Sequence, residues 1–125
     1  MYEERVYRKL FKGINLIFFN VCVEETDLMI GAHSNLEGIA LDLVCTYRRI
    51  IKSYIRRHPE FFTSLEPVDA NDNAPMIVKN MCVASKKAGV GPMAAVAGII
   101  AEEVGKELLR YTPEVIVENG GDVYI

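Results

Sequence analysis

Tryptophan is absent from the 125 residues, histidine occurs twice and cysteine three times, and each scarcity removes a class of chemistry. His33 and His58 stand far apart, with no cysteine at the close spacing of a zinc site, so no metal centre is expected. Cys22, Cys45 and Cys82 are odd in number, widely separated and set in the apolar contexts "NVCVE", "LVCTY" and "NMCVA". They are expected to be small buried hydrophobes in a reducing compartment rather than a disulfide framework. An excess of one charge is also missing: 14 Lys and Arg face 17 Asp and Glu, for a formal net charge of -3. No global field would recruit nucleic acid or an anionic membrane. Long apolar runs are missing too, since "PMAAVAGIIA" has about half the length of a membrane span. The start "MYEERVYRKLFKG" lacks the apolar stretch of a signal peptide. The expectation is a soluble, cytoplasmic protein with neither nucleic acid nor membrane as partner.

What is present suits one globular domain over residues 1–125: half of the residues are hydrophobic and a quarter charged. Two β-rich runs, Ile17 to Val23 and Leu28 to Ala32, flank the polar "EETD" and predict a hairpin; a further strand is expected at Arg5 to Phe11. In "SNLE", Ser34 and Glu37 have the spacing of a capping box before a helix whose apolar positions run from Leu36 to Ile55. His58-Pro59 stops it. After a turn and loop, "MIVKNMCVASKKAG" predicts a helix ended by Gly89, and a third helix is expected from Gly91-Pro92 to about Tyr111. "EVIVENGGDVYI" then predicts strand, turn and the start of another strand. That last run stops four residues past Gly121, so its strand is expected to be completed by a segment outside the 125 residues.

Four features invite a functional role. The cluster Arg48, Arg49, Lys52, Arg56, Arg57 and His58 is expected to be a solvated helix face, with phosphate or nucleic-acid binding as the alternative. "DANDNAP" begins like a calcium loop but has Ala74 where glycine is needed and Asn80 where a bidentate glutamate should stand, so a surface turn is expected. Gly89 and Gly91 resemble a phosphate-binding turn at a helix start, against the alternative of a helix corner. Gly91, Gly98 and Gly105 lie seven apart. Within a helix, the last two each cost roughly 1 kcal/mol relative to alanine, so they should offset that by close packing against another element. In "VENGGDVY", Gly120 and Gly121 offer bare backbone between Asn119 and Asp122, as a turn or as a ligand contact.

"ETDLMI", "AGVGPMAAVAGIIAE" and "VIVENGGDVY" together resemble a family of uncharacterised ApbE-like proteins related to the FAD:protein FMN transferases linked to thiamine biosynthesis. The resemblance covers nearly the whole chain. It implies an α+β fold, a T-fold-like half in the order ββ-αα-ββ, with an antiparallel sheet packed against two long helices. Members are longer, so the 125 residues would be the N-terminal half of a longer or a split protein. The resemblance further implies a flavin pocket with Gly89, Gly91, Pro92, Asn119, Gly120, Gly121 and Asp122 at the cofactor-binding positions. FAD or FMN, with magnesium, would bind once the missing C-terminal half or a second chain completes the pocket, and a homo-oligomer is expected. The transferases carry Lys-Gly where this chain has Ala97-Gly98, and their Asp-Leu-Gly-Gly start is missing. Their catalytic residues lie mainly in the absent half, so no catalytic residue or reaction is assigned. The alternative is a non-catalytic binding or assembly domain whose glycines serve helix packing only.

Overall fold

The computed structural model describes residues 15–125; the expected strand at Arg5 to Phe11 lies outside them. Strands β1 (Ile17–Val23) and β2 (Thr26–Ala32) form an antiparallel hairpin in which Val23 pairs with Thr26. The turn is only Glu24-Glu25, with Glu24 at a φ of 52°, so β2 begins two residues earlier than the polar "EETD" suggested. Alternation puts Phe19, Val21, Leu28, Ile30 and Ala32 on the face that joins the main core.

Helix α1 (Glu37–Arg57) is held at its start by Asn35, whose Oδ1 accepts the Glu37 N–H at 2.9 Å. Asn35 therefore takes the capping role expected of Ser34, because the helix opens at Leu36 and the bond spans two residues. At the other end His58 N–H bonds back to Tyr54 and Ile55 carbonyls. Pro59 then starts a new short helix, α2 (Pro59–Thr63), where only a turn was expected. Phe61 pins it: fully buried, its ring meets Tyr54 edge-on at 5.2 Å.

Helix α3 (Met76–Ala88) ends as its sequence predicts. Gly89 adopts a left-handed φ of 72°, its N–H bonds the Lys86 carbonyl and Val90 N–H bonds that of Ser85, the paired bonds of a Schellman cap. The chain then bends by 101°. The third expected helix is two pieces, a 3-10 turn (Pro92–Ala95) and α4 (Val96–Leu108), and the α-helix stops short of Tyr111. Instead of two long helices, the middle of the chain holds one helix of 21 residues, two of 13 and one of 5.

Strands β3 (Val115–Asn119) and β4 (Asp122–Tyr124) close the fold. The four strands form one antiparallel sheet in the order β1-β2-β3-β4, so the α+β, antiparallel expectation holds. Val115 and Val117 meet Val44, Ile51, Val104 and Leu108 from the helices in one buried cluster. Met29 and Ile116 are buried on the opposite side of the sheet. The cysteine expectation needs correcting, because only Cys82 is buried. Cys22 and Cys45 are exposed, Cys22 because strand alternation turns it away from the core that Val21 enters.

The glycine stripe packs closely, as expected, at Gly91 and Gly105 but not at Gly98. A Cβ on Gly105 would run into the Tyr124 ring of β4, and one on Gly91 would run into the Ser64 carbonyl. Gly98 is less constrained: a Cβ there would sit in ordinary contact, 3.5 Å from the Asp122 carboxyl carbon.

Candidate functional site

A cavity of about 180 Å³ opens between the tip of the β1-β2 hairpin, α1, α2 and the start of α4. Ile51 and Ile55 of α1, Phe62 of α2, and Met93, Val96 and Ile100 give it an apolar wall, and Thr26, Arg48, Lys52 and Asn119 supply polar groups. Its geometry follows from two anchors. Asn119, at the end of β3, is 7% exposed and donates from Nδ2 to the Ala97 carbonyl at 3.2 Å. That bond ties the end of the strand to the first turn of α4. No hydrogen bond to its carboxamide oxygen is present among the described residues, so one buried polar atom beside the cavity is left for a ligand or water.

Arg48 is the second anchor. It occupies the buried stripe of α1 with Ala40, Val44 and Ile51 and is 8% exposed, which corrects its expected place on a solvated face. Its Nη1 donates to Thr26 Oγ1, and its Nη2 to Glu25 Oε1 at 3.0 Å. Glu24 Oε1 lies 3.3 Å from the same nitrogen and also takes Lys52. The Glu25 carboxyl is held below the usual range, first by a backbone N–H and then by the Arg48 guanidinium. A hairpin tip with two acids, and a φ of 52° at Glu24, is thereby fixed over the cavity mouth. Arg48, in phase with the apolar positions Ala40, Val44 and Ile51 of the helix, is the sequence signal that the reading of a solvated basic face passed over.

Two other spaces adjoin the cavity. On the opposite face of the sheet a hollow of about 240 Å³ is lined by Asn20, Asp27, Met29, Glu118 and Gly120, and by Asn119 and Glu25 from the first cavity. On the outer side of α1 a groove of about 250 Å³ is lined by Arg49 and Arg56 and shares Arg48 and Lys52 with the cavity. Among the described residues no three His, Cys, Asp or Glu side chains gather to hold a metal ion. No single helix there is long and apolar enough to cross a membrane.

The seven cofactor-binding positions named above are brought together only in part. Asn119 lines the cavity and the hollow, and Gly120 lines the hollow. Gly91 and Pro92 are buried, Gly91 against the Ser64 backbone. Gly89 forms the cap of α3. Gly120 and Gly121 form the β3-β4 turn with φ of 58° and 100°, and Gly121 N–H bonds Glu118 Oε2 at 2.8 Å. Both turn residues need positive φ, so the hairpin itself accounts for the double glycine. Asp122 is exposed and faces Gly98. Of the expected positions only Asn119 lines the cavity; Gly91, Pro92, Gly120 and Gly121 do not, and the α4 start reaches it through Met93, Val96 and Ala97.

A four-stranded antiparallel sheet covered by helices, with a cavity where a helix start meets a strand end, makes this an α+β protein. Residues 8–125 match the family described as "AbpE bacteria", and the chain belongs to it. Similar curated proteins carry the name UPF0280 protein. That of Methanopyrus kandleri is 42% identical over 107 residues, 84% of this chain and 43% of the relative. That of Methanocella arvoryzae is 37% identical over 105 residues, 81% of this chain and 42% of its own length. In Methanocaldococcus jannaschii the identity is 45% over 84 residues, 67% of this chain and 34% of the relative. The chain thus spans less than half the length of the curated relatives it matches.

Proposed function

We propose that this chain is a T-fold-like, ApbE-like unit that binds a flavin or related nucleotide in the cavity between α1 and α4, with FAD or FMN as the candidates. The observation that carries this reading is the convergence of the α4 start and buried Asn119 on one apolar cavity. Size limits what the cavity holds. At about 180 Å³ it resembles the roughly 150 Å³ engineered cavity that admits a benzene ring, and falls short of the roughly 300 Å³ that begins the range for whole ligands. One apolar end of a flavin ring system would enter, and the rest of the ring system would lie against a surface supplied from elsewhere. The longer C-terminal part found in the relatives, or a second copy of the chain, is the proposed source of that surface. Because no acidic cluster of the described residues is suited to a metal, magnesium would rely on ligands from that part.

The test is titration of the full-length protein with FAD, FMN and ADP, with and without magnesium. The expected result is magnesium-dependent binding of at least one flavin. Absence of binding by all three would overturn the proposal. It would favour a second reading, a non-catalytic assembly domain, for which the Gly105 contact with Tyr124 and the Gly91 contact with Ser64 already explain the glycines by packing alone.

A further inference from the structure

The groove on the outer side of α1 is lined by four cations, Arg48, Arg49, Lys52 and Arg56, against one carboxylate, Glu24, in a chain whose net charge is -3. Positions 45, 49, 52 and 56 follow helical spacing and form one stripe along the helix. Attraction to the helix dipole is confined to the last turn, which holds Arg56 and Arg57; it gives no reason for Arg49 and Lys52 further back. Pairing does not account for the stripe either. Glu24 engages Lys52 at 3.1 Å and Arg48 at 3.3 Å, while Arg49 and Arg56 are exposed and have no ion pair or hydrogen bond among the described residues. Two guanidinium groups are therefore free to take an anion by paired N–H donors.

Position decides which anion. Arg48 and Lys52 belong to the walls of both the groove and the apolar cavity, so the two spaces adjoin across the Lys52 side chain. Resting on the nucleotide-binding reading above, we infer that this groove seats the phosphate of the ligand whose ring enters the cavity. The ring occupies the apolar wall of Ile51, Ile55 and Met93. The tail crosses Lys52, and the phosphate lies between Arg49 and Arg56.

The experiment compares FMN with riboflavin, which lacks the phosphate, on the full-length protein and on its Arg49→Gln/Arg56→Gln variant. Both side chains are exposed and unpaired among the described residues, so the variant should unfold at the same temperature as the parent. For solvent-exposed charges the parent is expected to favour FMN over riboflavin by about tenfold. The variant should lose that preference while riboflavin binding stays unchanged, and the preference should shrink as salt is raised. An FMN preference that survives in the variant would overturn the inference. If neither flavin binds, the flavin reading fails by itself, and inorganic pyrophosphate then tests the groove. Amide shifts in residues 45–57 that vanish in the variant would support it, whereas no shifts, or shifts that persist in the variant, would overturn it.

Discussion

Thr26 and Arg48 are both buried and joined by a hydrogen bond from Nη1 to Oγ1 of 2.6 Å. The bond connects the first residue of β2 to the middle of α1, across 22 positions of sequence. It holds the hairpin tip against the helix, and with it the mouth of the cavity that both residues line.

Thr26→Val keeps the branched shape and removes the acceptor. A buried hydrogen bond to a charged group contributes about 1.5 to 3 kcal/mol, so a loss of that order is expected in urea unfolding of the variant. An unchanged midpoint would mean that Arg48 finds a substitute partner in Glu24 or Glu25, both of which already lie within reach.

The two helical glycines should behave oppositely. A side chain at Gly105 meets the Tyr124 ring, and overpacking of this kind costs typically about 1 to 3 kcal/mol, so Gly105→Leu should be clearly less stable than the parent. Gly98→Ala meets Asp122 only at ordinary contact distance and should gain up to about 1 kcal/mol from helix propensity. Thermal unfolding of both variants checks this. Equal effects would mean that β4 yields to a side chain as readily at Tyr124 as at Asp122.

Local signals carried most of the fold. The hairpin, the long helix, the Gly89 cap and the Asn-Gly-Gly turn were legible because each rests on residues within a few positions of one another. What escaped depends on partners far along the chain. The 3-10 start at Pro92 comes directly after Gly91, which lies against Ser64, a contact that no local spacing reveals. Arg48 sits at a buried helical position, but its partners Thr26 and Glu25 come from another element, so a basic cluster looked like a solvated face. At the site, the double glycine with its polar flanks drew attention to Asn119 and Gly120, which line the hollow. Which side of its backbone Gly91 leaves bare is a tertiary fact.

The Glu25 carboxyl is held low by a backbone N–H and by Arg48. A depressed folded-state value means that its contribution to stability is present above the unfolded carboxylate range and is lost as pH falls through the folded value. Carboxyl NMR should show Glu25 titrating below the ordinary glutamate value of about 4.3. Arg48→Lys, which keeps the charge but loses the guanidinium fork, should move it part of the way back. A Glu25 that titrates normally in the parent would show that the hairpin tip is not held by Arg48 in solution.

Filling the cavity separates binding from folding. Ala97 is half-buried and lines the apolar wall, and its carbonyl rather than its side chain holds Asn119. Ala97→Leu therefore adds volume where about 180 Å³ is open without removing a hydrogen bond. Cavity filling commonly adds about 0.5 to 2 kcal/mol, so the variant should be as stable as the parent or more so. Its added side chain occupies the space proposed for the ligand ring, and binding of FMN and of riboflavin should fall together, unlike in the Arg49 and Arg56 variant. Val83→Leu, on an exposed position of α3, is the control and should leave binding unchanged. Flavin affinity in Ala97→Leu equal to that of the parent, with the fold intact, would place the ring elsewhere, and the hollow lined by Asp27, Glu118 and Gly120 would then be the next site to block.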